Sequence, residues 1–113
     1  MAYDEALADR IRRLIGPARG LEEKKMFGGL AFLIGGNMAI AASGQGGLLV
    51  RADPNDSEKL LAAGAQIMEM RGRAMAGWLR VSAEAVSSEA ELAKWVKVGV
   101  DYASDLPPKP GSH

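Results

Sequence analysis

Two glycine pairs, Gly28-Gly29 and Gly35-Gly36, divide the run from Lys24 to Met38 into short apolar pieces, and this constrains the fold more than any other feature. Glycine reaches positive φ without a Cβ clash, so it is the residue that tight hairpin turns need. Leu30 to Ile34 and Met38 to Ala42 read as strands on either side of Gly35-Gly36-Asn37. Gly28-Gly29 marks a turn or bulge after a first strand over 21–27, and Ser43-Gly44-Gln45-Gly46-Gly47 a further loop before a fourth strand over 48–52. Strands joined by such short loops pair antiparallel, because parallel neighbours need a long crossover.

Helix signals frame this block. Asp4 is a candidate N-cap, and Leu7, Ile11, Leu14 and Ile15 recur on one helical face until Gly16-Pro17 ends it. Asp53-Pro54 opens a second helix that runs to about Ala63 and stops at Gly64. Ile67 to Met70 and Trp78 to Ser82 are two more strands, with 71–77 as the loop between them. Ser88 and Glu91 form a capping box for a last helix whose stripe is Leu92, Trp95, Val96, Val100, Ala103 and Leu106. Gly99 lies on that stripe, which a close helix–sheet approach would explain. The expected fold is α+β: a two-layer domain with an antiparallel sheet of about six strands and helices packed on it, in the order α-β-β-β-β-α-β-β-α. It spans residues 1–106, with 107–113 as a flexible proline-rich tail.

Composition narrows the chemistry. Fourteen basic residues balance 14 acidic ones, which weighs against direct nucleic-acid binding, since neutralising several phosphates takes a basic excess. Cysteine is absent and the single histidine is the last residue, His113, so thiol catalysis, histidine general-base work and Cys/His metal sites have no residues to draw on. No metal or cofactor is expected, nor an enzyme. There is no apolar run long enough to span a membrane and no secretory pattern after Met1, so a cytoplasmic location is expected.

The glycine pairs also fail as a phosphate cradle: no Gly-Lys-Ser/Thr follows, and no Gly-x-Gly-x-x-Gly opens a helix. Glu22-Glu23, Asp53 with Asp56, and Glu89 with Glu91 are candidate acid pairs, but capping and solvation account for them more simply. Arg51, Arg71, Arg73 and Arg80 flank strand ends. If they converge they form an anion-binding cluster, the alternative to a protein-contact role. Met26, Met38, Met68, Met70 and Met75 lie in or beside strands, where methionine fills cores or adaptable contact surfaces.

The middle strands are apolar on both faces. Leu30, Phe32 and Ile34 point one way and Ala31 and Leu33 the other; Met38, Ile40 and Ala42 oppose Ala39 and Ala41. Three helices could cover one face and part of the second; a small-residue face left exposed predicts a homodimer or a partner-binding surface.

Lys25, Met26, Phe27, Gly28 and Gly29, with Phe32, Gly36 and Met38, resemble the first signature of the TfoX/Sxy N-terminal domain family, and the block ending in Gly77-Trp78 resembles its second. The resemblance runs from about residue 2 to residue 109. It implies a non-enzymatic regulatory module acting through protein–protein contact, related to regulators of DNA-uptake competence. Those regulators carry a second, C-terminal domain, so the competence role itself is not expected of this domain alone. No catalytic residue is implied.

Overall fold

The computed structural model describes residues 4–16, 21–26, 28–44, 46–70 and 72–107. Its elements follow the expected order: α1 (Glu5–Ile15), β1 (Leu21–Met26), β2 (Gly29–Ile34), β3 (Asn37–Ala42), β4 (Leu48–Arg51), α2 (Ser57–Ala62), β5 (Gln66–Met70), β6 (Arg73–Val81) and α3 (Glu89–Asp105). Short 3-10 turns at Pro54–Asp56 and Glu84–Val86 lead into α2 and α3. The six strands form one open antiparallel sheet ordered β1-β2-β3-β4-β6-β5. This is an α+β fold.

Capping chemistry sets the helix starts. The Asp4 carboxylate accepts from the Leu7 amide at 3.1 Å, and the Ser88 hydroxyl accepts from the Glu91 amide at 3.2 Å. Gly16, at φ 65°, ends α1 in a conformation that other residues avoid. Gly35 and Gly36, at φ 58° and 83°, form the two-residue turn between Ile34 and Asn37. Two consecutive positive φ values are what a tight hairpin matched to strand twist requires.

One sheet face carries the main core. Phe32, Ile40, Leu48, Val50 and Leu79 are fully buried there against Leu7 and Ile11 of α1 and Leu92, Trp95 and Val96 of α3. α3 lies unusually close to β3: a Cβ on Gly99 would collide with the Ala39 carbonyl. The glycine thus exchanges helix propensity for a short helix–sheet distance.

That contact coincides with a register change. Phe32 pairs with Ile40 but Leu33 pairs with Met38, leaving Ala39 as the extra residue of a β-bulge. The bulge breaks the alternation expected for β3. Ala39 joins Ile40 and Ala42 in the main core, and Met38 moves to the opposite face beside Ala41.

β6 departs further from expectation. It begins at Arg73, not Trp78, so most of the segment read as a loop is strand. Between the Ile67–Leu79 and Glu69–Ala74 pairs the chain advances two residues on β5 and five on β6. Gly77, at φ 81°, lies in this enlarged bulge. Glycines at both ends of 72–77 look like loop punctuation in sequence, and here they are a turn and a bulge.

Polar ties complete the layers. Arg12 of α1 grips Glu23 of β1 with two bonds, at 2.6 and 2.8 Å, and also pairs with Asp9. Arg10 donates to the Val86 carbonyl at 3.0 Å and to Glu89 at 3.1 Å, fastening α1 to the start of α3. Asn37, the one buried polar side chain in the described core, donates to the Pro107 carbonyl at 2.9 Å. Residues 108–113 lie outside the described residues, as does most of the expected tail.

Candidate functional site

The motif residues serve the backbone. Gly28 sits at φ 76° in the β1–β2 turn. Gly29 has no room for a side chain, because a Cβ would meet the Ala42 carbonyl and the Gly44 amide. Gly36 supplies the second half of the β2–β3 turn, and Phe32 is wholly buried. Lys25 is exposed on the edge strand β1. Phe27 and the side chain of Met26 lie outside the described residues.

Gly77 and Trp78 belong to one construction with Arg51. The Arg51 guanidinium lies over two rings, 4.9 Å from the Trp78 centroid and 4.9 Å from that of Tyr102 on α3. Its Nη1 donates to the carbonyls of Ala52 and Gly77, each at 3.1 Å. The Ala52 amide in turn donates to the Gly77 carbonyl at 2.8 Å. A Cβ on Gly77 would strike Arg51 Nη1 and the Ala52 carbonyl. Arg51 is therefore a half-buried fastener between the β4 end, the β6 bulge and α3.

The anion-cluster expectation required four arginines to converge. Arg73 pairs with Met70 near one end of β6, and Arg80 pairs with Gln66 near the other. Arg51 is held by its two rings and two carbonyls, and Arg71 lies outside the described residues. The three described arginines thus sit in different settings. The extended geometry of β6 keeps two of them apart, and stacking occupies the third.

Two of the concavities among the described residues combine apolar and charged linings. The first is a cavity of about 100 Å³ on the sheet face away from α1 and α3. Its lining includes Ala31, Met38, Ala41 and Leu49, together with Met68, Glu69 and Arg80. In a flat sheet β2 and β5, four interstrand steps apart, would be separated by about 19 Å at about 4.8 Å per step. Residues from both line this one cavity, so the sheet coils strongly. The small-residue face is not open, a correction to the expectation that it could be left exposed. Ala31, Leu33, Met38, Ala41 and Leu49 are each at most 8% exposed within the single chain, with Met68 and Trp78 packed on them.

The second is a groove of about 420 Å³ between α2 and α3. Leu60, Val98 and Tyr102 form its half-buried apolar floor above the buried Trp95. Asp53, Asp56, Asp101 and Asp105 stand around it with Lys59 and Lys94. The spacing of Val98, Asp101, Tyr102 and Asp105 (i, i+3, i+4, i+7) puts all four on one face of α3. That spacing is legible in sequence. The facing surface of α2 is not, because only the tertiary fold brings Leu60 opposite Val98. Among the described residues no cluster of three or more His, Asp or Glu side chains is arranged to hold a metal ion.

An antiparallel coiled sheet with helices on one face, tied by a stacked arginine and grooved between its helices, defines a class of small two-layer α+β domain. The family model for the TfoX N-terminal domain matches residues 13–103, and the chain belongs to that family. Membership supports a regulatory domain of the TfoX type. No curated relative matches the sequence.

Proposed function

We propose that this domain is a non-enzymatic regulatory module that acts by binding another protein in the cytoplasm. The supporting observation is the α2–α3 groove, the place where half-exposed leucine, valine and tyrosine side chains meet a charged rim. That mixture suits a transient protein contact, whose core is apolar and whose rim is polar. Family membership supplies the regulatory setting. The balanced charge, 14 basic against 14 acidic residues, favours a protein over a nucleic acid as the partner.

The test is capture of partners by the tagged domain in its native cell, followed by titration of each purified candidate against the purified domain. A saturable complex of defined stoichiometry is expected. Candidates that fail to bind once purified, or that are turned over as substrates, contradict the proposal.

A further inference from the structure

The charges around the α2–α3 groove are unbalanced in a particular place. Four carboxylates face two ammonium groups, and Lys94 is drawn towards Glu91, at 2.9 Å. Asp101 is paired with Lys97 at 2.8 Å, yet Asp105 and Asp101 both sit near the C-terminal end of α3. Carboxylates there oppose the helix dipole, whose negative end favours cations, and the last turn of α3 carries no basic residue. Dipole and side chains therefore add, concentrating negative potential over an apolar floor.

We infer that this groove receives a basic, amphipathic segment of a partner protein. Its apolar side chains seat on Leu60, Val98 and Tyr102, and its Lys or Arg side chains meet Asp53, Asp56, Asp101 and Asp105. The floor distinguishes such a segment from a free cation, which gains nothing from leucine and valine. The carboxylates repel nucleic acid and acidic peptides. The inference rests on the protein-contact reading and adds the surface and the partner's charge.

A random-peptide display library is selected in parallel on the wild-type domain and on a variant carrying Asp56→Lys, Asp101→Lys and Asp105→Lys. Circular dichroism and melting check that the variant is folded, and the single variant Asp105→Asn replaces it otherwise. The wild type is expected to enrich peptides that combine apolar residues with Lys or Arg. Those peptides should bind the triple variant about tenfold more weakly, or Asp105→Asn measurably more weakly, and should weaken as salt rises. Enrichment of uncharged or acidic peptides, equal binding to wild type and variant, or no enrichment overturns the inference. So does a wild-type dimer that the charge reversals dissociate, because a second copy is then the occupant. A native partner captured equally by both versions leaves the protein-contact reading standing and removes the groove. Capture by neither removes the reading itself.

Discussion

Arg51 shows how one side chain can close a small fold. Its flat guanidinium lies over the Trp78 and Tyr102 rings while donating to two carbonyls, which an ammonium group cannot reproduce. Arg51→Lys is therefore expected to lower stability by about 1–3 kcal/mol, combining lost stacking with poorly satisfied carbonyls. Chemical denaturation at constant m-value measures it, and an unchanged midpoint would show that the stack is incidental. Gly77→Ala should cost about 2 kcal/mol or more, since left-handed backbone alone costs an L-residue about 1–2 kcal/mol and the new Cβ meets Arg51. Gly28→Val and Gly29→Val should both destabilise, for different reasons: strain at φ 76° in the first and collision with the Ala42 carbonyl in the second. Thermal melts of the pair test this, and a valine accepted at either position would mean the β1–β2 turn differs from the one described. A sequence identifies such glycines readily but does not distinguish turn from bulge. Gly77 looked like the end of a loop because its partner Arg51 is 26 positions away in the chain.

At the level of elements, local signals were the legible ones. Asp4, Gly16, Ser88 and the Gly35-Gly36 pair each act within three or four residues of themselves, though Ser88 caps α3 alone while the Glu91 carboxylate of the expected capping box pairs with Lys94. Ser88→Ala should lower stability by about 1 kcal/mol, the usual value of a hydroxyl N-cap. The bulges at Ala39 and in β6 were not legible, because they answer to neighbours distant in sequence: α3 at Gly99 and the end of β4. The Arg12–Glu23 pair adds a pH-dependent element contact. Hydrogen bonding from Arg12 outweighs partial desolvation and lowers the Glu23 carboxyl below its ordinary value. A carboxyl depressed in the folded state adds stability that is complete above its unfolded value of about 4.3 and is lost as pH falls through the lower folded value. Both partners are partly exposed, so the contribution stays below about 1 kcal/mol. Denaturation of wild type and Glu23→Gln across acid pH should show two curves that separate above about pH 4 and converge below it. A constant gap would contradict the assignment.

The whole molecule depends on the coiling of the sheet. Alternation correctly marked both faces of β2 and β3 as apolar, yet pairing rules could not say that β5 and β6 would bring Met68 and Trp78 over the second face. With the central residues of that face buried, the groove between α2 and α3 is where apolar side chains meet a charged rim. The candidate site was therefore less legible than the fold. Its α3 half follows from helical spacing, whereas its α2 half depends on how the β4–α2–β5 connection folds back. The stacked Tyr102 joins the two stories, since one side of its environment holds Arg51 and another lines the groove.

Hydrogen–deuterium exchange of the domain, free and in complex with a captured partner, reads the contact surface directly. Added protection in α2 and in the C-terminal half of α3, with little change along the edge strand β1, is the expected pattern. Protection confined to the β1 edge, or to the β5–β6 side of the sheet, would contradict a groove between the helices as the working surface.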